Sequence, residues 1–345
     1  MKEILYVINP ISFLGILVLI GYIVEKCKFV SSLSEKLSKL ILHITLPLLV
    51  IVSISEQSLQ DSSLNEIFLV VLMGILAIGI LLSVNFLIGK LLKIKKERQT
   101  IHSLLGAFGN VIFLGYPFIY MLFGEVGLFY AILYSMVNDL ILWTLGVYFL
   151  RVGSGEWGVG SGELGVGSST PHSPLPAPNS QLPTQRARGP IHDLLNPNTI
   201  SFFIGLTLLI LNLHLPVFIK APLKSLGSTT TPLSMLFIGS ILAKISIKNS
   251  LKNATIWSIC CIKMIFVPII FLFIFKLFLP IIENVNIILY SVIILQIAMP
   301  TQVILSVLAD RYNADPEYAA QAVFITTLIS SITLPFIYFL CITYI

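Results

Sequence analysis

Runs of about twenty apolar residues, repeated from one end of the chain to the other, decide what it can fold into. A helix rising about 1.5 Å per residue needs roughly 20 residues to cross a hydrocarbon core of about 30 Å, whereas a membrane barrel is built from alternating strands of about 10. The runs here are of the first kind, so the spans are helices. Ten are predicted, over 4–24, 33–55, 66–90, 100–123, 127–150, 197–215, 228–245, 254–279, 284–309 and 317–343. Composition agrees, with 56% hydrophobic and only 11% charged residues, against about a quarter charged in a soluble domain. The expected fold class is an all-α membrane protein. The first span is too long for a secretory signal and meets no small-residue cleavage site before Glu25 and Lys26, so it is expected to remain.

Basic residues are retained on the cytoplasmic side of a membrane. Most of the 21 Lys and Arg fall in the loops between spans 1 and 2 (Lys26, Lys28, Lys36, Lys39), 3 and 4 (Lys90, Lys93, Lys95, Lys96, Arg98), 5 and 6 (Arg151, Arg186, Arg188), 7 and 8 (Lys244, Lys248, Lys252) and 9 and 10 (Arg311). Both termini are therefore expected on the non-cytoplasmic side of a cell membrane that the chain crosses many times. The net charge of +5 is topological, since scattered basic residues without interleaved aromatics make no nucleic-acid footprint.

Residues 152–195 break the apolar pattern. They hold the near-repeat "GEWGVGS" and "GELGVGS", then the Pro-rich "STPHSPLPAPNSQLPTQ". Such a composition cannot bury a core, and a disordered cytoplasmic linker is expected. No Lys-Ser/Thr follows the glycines, so they are not a phosphate loop.

The linker separates two halves, 1–151 and 196–345, that resemble each other. "NPISFLGILVLIG" parallels "NPNTISFFIGLTL", "TLPLL" parallels "TTPLS", and "GYP" parallels "AMP", with Pro10, Pro47 and Pro117 answering to Pro197, Pro232 and Pro300 at nearly one offset. Five spans per half is an odd number, so the second copy enters the membrane from the opposite side. A five-plus-five inverted repeat follows, the design of carriers whose site lies between the repeats and is built from broken helices. The breaks are expected at "GNVIFLGYP" (109–117) in span 4 and "AMPTQ" (298–302) in span 9. Proline removes a backbone donor, and the carbonyls it frees are tolerable at that depth only where they are buried in protein or line a cavity. Half-helices starting at Pro117 and Pro300 would aim their positive ends at one central point, an arrangement that favours an anion.

The blocks "NPISFLGILVLIGY", "ITLPLLVIVSISE", "FGNVIFLGYPFIYMLFGEVGLFYAIL", "LLNPNTISFFIGL" and "IAMPTQVILSVLADRYNADPEYAAQAVFITTLISSITLPF" resemble the auxin efflux carrier family, which includes the plant PIN-type exporters and bacterial organic-anion transporters. The resemblance implies a ten-helix, five-plus-five fold with spans 4 and 9 crossing at their breaks, a scaffold part and a moving part, and export of carboxylated solutes such as auxin-like acids or dicarboxylates. It matches Asn110 to the Asn of the first crossover, and Pro117 and Pro300 to the crossover prolines. His43 departs from it, standing before "ITLP" where an Asn or a small residue is expected. Asp139 departs too, at a position where PIN-type carriers hold a polar amide.

The substrate-binding candidates are therefore Asn110, Gly115, Pro117, Pro300, Thr301 and Gln302, the last two because they follow the second break and can reach a cavity. Asp139, His43 and Lys263 are coupling or cavity candidates. An acid or a lysine within a span is costly unless paired, hydrated or neutralised, and histidine titrates near neutral pH. Asn138 points about 100° from Asp139 on a helix and reads as a packing or hydrogen-bonding residue, while the small and hydroxyl residues "TTLISS" (326–331) read as close helix packing. Cys27, Cys260, Cys261 and Cys341 lack ligand spacing, so neither metal nor cofactor is expected. No HExxH or GxSxG supports an enzyme. The expected partners are the lipid bilayer and a small carboxylate. A channel-like permease, or a carrier of another small solute, stays open as the alternative. Protons or sodium as the driving ion and a homodimer stay open as well.

Overall fold

A computed structural model describes residues 2–30, 32–57, 64–153, 196–213, 215–244, 253–278 and 286–344, with residues 2–11, Leu64 and Glu97 described as backbone alone. Most of the expected linker thus lies outside the described residues. The helices are α1 (Lys2–Lys26), α2 (Leu33–Ser55), α3 (Leu64–Leu91), α4 (Lys96–Ala107), α5 (Val111–Gly153), α6 (Pro197–Ile210), α7 (Val217–Ser228), α8 (Thr230–Leu242), α9 (Ala254–Leu277), α10 (Ile287–Ile297), α11 (Ile304–Arg311) and α12 (Pro316–Tyr344). No strand occurs among the described residues.

Five of these helices, α2, α3, α5, α9 and α12, are long and apolar enough to cross a membrane by length and composition. α1 is itself 25 residues long. α6 and α10 are shorter apolar helices. Two predicted spans merge in α5, whose 43 residues are divided by Gly124 at φ 63° and ψ −150°. The predicted ninth span is divided as expected, into α10 and α11.

The first break is not where its proline stands. α4 stops at Ala107 and α5 begins at Val111, so the first break is Phe108–Asn110, well before Pro117. In the second half the helix resumes at Ile304 rather than at Pro300. Pro117 instead lies two residues past a π turn, Val111–Gly115. Pro47 and Pro268 stand in the same relation to the π turns Ile41–Thr45 and Ile262–Phe266. A proline inside a helix withdraws one N–H and crowds the carbonyl four residues back. The extra residue of a π turn makes room for that ring, so the helix carries on through Pro117.

The helices sort into two bundles. In one, α1 packs on α8, and α2 packs on α6 and α7. The α1–α8 contact is backbone to backbone: a Cβ on Gly21 would overlap Leu236 O, and one on Gly239 would overlap Val18 O. Small residues of this kind let helices approach closely where lipid supplies no hydrophobic drive. In the other bundle α3 packs on α4 and α5, while α10 packs on α5, α9 and α12. α5 faces both bundles, touching α1, α2 and α8.

Candidate functional site

The two breaks pair with each other. Asn110 N donates to Pro300 O (2.6 Å) and Gln302 N donates to Phe108 O (3.1 Å), making an antiparallel bridge between Gly109 and Thr301. Two helices that each lose their hydrogen-bond ladder thus satisfy one another's backbone, the requirement for unwound chain inside a membrane.

Leu104 O keeps its helical donor, Phe108 N (2.9 Å), and side chains replace the donors that two later carbonyls of α4 lose: Leu105 O accepts from the Thr301 hydroxyl (3.0 Å) and Ala107 O from Lys263 Nζ (2.9 Å). Thr301 N donates in turn to Thr326 Oγ1 (3.1 Å). Thr301 and Thr326 are fully buried, and Lys263 is 1% exposed.

The side chains beside the breaks are treated unequally. Asn110 is 1% exposed, yet neither its Oδ1 nor its Nδ2 has a partner among the described residues. Gln302 is engaged: its Oε1 accepts from Asn138 Nδ2 (3.2 Å) and its Nε2 donates to Asp139 Oδ1 (3.4 Å). Asn138 Nδ2 also reaches Asp139 Oδ1 (3.4 Å). No ion pair involves Asp139 among the described residues. Gly115 lies against Gln296, whose Oε1 would stand 2.7 Å from a Cβ there. That oxygen is itself buried without a partner.

The chain matches the family model described as membrane transport protein over residues 6–338. It belongs to the membrane transport protein family. It is also 27% identical over 331 residues to an uncharacterised transporter of Methanocaldococcus jannaschii, a match covering 91% of this chain and 92% of that protein. The auxin-carrier-like resemblance is borne out, and the protein is a multi-pass membrane transporter.

In this transporter a cavity of about 40 Å³ lies between the bundles, lined by Ser53 of α2, Lys224 and Gly227 of α7, Thr231 of α8 and Tyr116 and Glu125 of α5. It has room for water and not for a solute. Ion pairs cross above it: Lys220 to Glu56 (2.7 Å), and Lys224 to both Glu56 (2.9 Å) and Glu125 (3.3 Å). Burial pushes the Glu56 carboxyl up, but the hydrogen bonds and charges of the two lysines outweigh it and hold Glu56 below its ordinary 4.5. Ser53 Oγ, Thr230 Oγ1 and Ser234 Oγ are buried without partners, on α2 and α8.

The other expected residues are placed as follows. His43 is on an exposed face of α2 with Nδ1 bonded to Lys39 O (3.0 Å) in its own turn, so the structure does not bring it to the crossing. Lys263 is brought there, against the end of α4. Gln296 is not singled out by the sequence. Asn138, expected to pack or hydrogen-bond, does the latter, its amide reaching both Gln302 and Asp139. Thr326 is read as packing, and it does pack, but it also supplies the partner of Thr301 N. The same reading points to no signal for Gln296 beyond a buried amide inside an apolar run.

Proposed function

We propose that the protein is a secondary carrier that moves small carboxylate solutes by alternating access, and that the solute binds where the broken helices cross. One observation carries the reading: the paired breaks bury an asparagine, Asn110, whose amide has no protein partner. A buried amide left unpaired costs about 1–3 kcal/mol, which a bound ligand relieves. Asn110 directly precedes the first turn of α5, whose leading N–H groups have no intrahelical acceptor and carry partial positive charge. Free donors at a helix start suit a carboxylate.

The fold supports a ten-span, five-plus-five reading, with α4/α5 and α10/α11 as the broken pair and α1 answering to α6. Side-chain contacts support the orientation. Lys244 pairs with Glu25 (3.4 Å), Arg98 with Asp315 (2.6 Å), and Arg151 reaches the Tyr312 hydroxyl (3.4 Å), so each of the five loops expected on the cytoplasmic side meets another of them. In this reading that end is cytoplasmic and the termini face away. The bundle of α1, α2, α6, α7 and α8 is the scaffold, and the bundle holding the crossing moves against it. Asp139, bonded to the second break through Gln302, is the group that couples solute movement to a proton.

The test is a binding titration of purified protein with malate and with indole-3-acetate, each against its uncharged amide. Binding of a carboxylate at least ~100-fold tighter than of its amide supports the site, and equal affinity rejects it. Counterflow in proteoliposomes separates a carrier from a channel. A cysteine at position 168 that is labelled only from the inside supports the orientation.

A further inference from the structure

Lys263 has an unusual placement. Its side chain rises from the π turn Ile262–Phe266 of α9, is 1% exposed, and gives one hydrogen bond, to Ala107 O. No carboxylate forms an ion pair with it among the described residues. An ammonium has three donors, and burying it without a counter-ion is expensive. Two things offset that expense. Ala107 is the last residue of α4, and a helix C-terminus carries a partial negative charge that favours a cation. The carbonyl it meets is also one that the break deprives of its helical donor.

Unwound carbonyls and helix C-termini at a carrier's midplane are the groups that coordinate small monovalent cations. Here the side chain of Lys263 occupies that position. Ala107 and Asn110 are three residues apart, so chain geometry holds their Cα atoms within about 11 Å.

We propose that Lys263 is the resident cation of the crossing, a charge built into the chain that closes the end of α4 and balances an anion held at Asn110, in place of a free monovalent cation. The anion's identity rests on the carboxylate reading above, while the resident cation does not. The transporter is accordingly expected to run equally well in sodium, potassium or choline salts. Removing the charge weakens anion binding about tenfold, the effect in an effective dielectric of about 20 of a charge and an anion separated by about the span of those two backbone positions.

The experiment measures thermal stability of purified Lys263→Ala, Lys263→Met and Lys263→Arg in choline, sodium and ethylammonium chloride at one ionic strength, without solute. Wild type should melt at the same temperature in all three. Lys263→Ala, which opens a space, should be less stable in choline and regain stability in sodium or ethylammonium. Lys263→Met fills the space without charge, so it should be destabilised and unrescued, whereas Lys263→Arg should approach wild type. A Met variant as stable as wild type overturns the proposal, as does an Ala variant that no cation rescues, or a sodium requirement in the wild type. If Ala does not fold, the Met and Arg variants still decide it. Cation rescue together with equal binding of malate and its amide would uphold the resident cation and reject the carboxylate.

Discussion

The two breaks that cross at the centre of the molecule are alike in backbone and unlike in side chains. Each lends one N–H and one carbonyl to the other. Beyond that exchange the second break is closed. Thr301 is bonded to Leu105 and Thr326, and Gln302 to Asn138 and Asp139. The first break stays open, with the Asn110 amide buried and unpartnered. In the proposed inverted repeat the two breaks are equivalent positions whose side chains have diverged to different work. On that proposal the closed break holds the crossing together, and the open one binds the solute.

Substituting both sides is the strongest way to break this comparison. Asn110→Ala should weaken carboxylate binding by ~10- to 150-fold, the equivalent of about 1.5–3 kcal/mol for a hydrogen bond to a charged group. It should not lower the melting temperature, because nothing in the unliganded protein loses a partner and a buried unpaired amide is removed. Gln302→Ala should do the reverse, lowering stability more than affinity. Isothermal titration alongside thermal melts reads both quantities, and equal losses of affinity in the two variants would erase the distinction.

Thr301→Val probes the closed break at nearly constant volume. The hydroxyl is lost, Leu105 O is left buried without a donor, and the thermal unfolding free energy should fall by about 1–3 kcal/mol. An unchanged melting temperature would mean that the crossing is held by its backbone pairs alone.

Asp139→Asn keeps an oxygen that can accept from Gln302 and removes the charge. If the acid beside the closed break carries the proton, the pH dependence of net uptake should flatten while solute-for-solute exchange persists, since exchange moves no net proton. Loss of both modes would make Asp139 a support for Gln302 instead.

Much of this was legible in the sequence because apolar length and charge placement are local signals. Twenty-residue runs mark the helices, and Gly124 falls between the predicted ends of spans 4 and 5. The landmark residues of the breaks were legible for a related reason, as polar and helix-poor residues stand out in an apolar run. Their exact positions were not. Pro117 looks like a helix breaker, but a π turn before it absorbs the ring, and the unwinding moves back to Phe108–Asn110. What holds the unwound segments is a pairing between residues nearly two hundred positions apart, which no window of sequence contains. The contact of Lys263 with Ala107 is of the same long-range kind.

A smaller effect concerns the rim rather than the crossing. Glu56 is shared by Lys220 and Lys224, and Lys224 also reaches Glu125, so ion pairs tie the bundles at the rim, where the crossing has backbone pairs. Because Glu56 is held below its ordinary 4.5, its contribution is complete above that value and is lost as pH falls through the lowered one. Glu56→Gln should therefore cost up to about 1 kcal/mol at pH 7, in the range of exposed pairs. The difference from wild type should disappear in melts at acidic pH. A penalty that persists in acid would point to packing and not to charge.

The smallest effect is expected at His43, which belongs to neither break. Among the described residues its ring bonds only the carbonyl of Lys39, one turn back, and it lies on an exposed face. A change at such a position usually alters stability by less than about 0.5 kcal/mol. His43→Gln should accordingly melt like wild type and keep the wild-type pH profile of uptake. That profile is the sharper measurement, because it reads proton coupling directly. A profile that shifts in His43→Gln and survives in Asp139→Asn would move the proton's route to α2. The closed break would then be a purely structural partner of the open one.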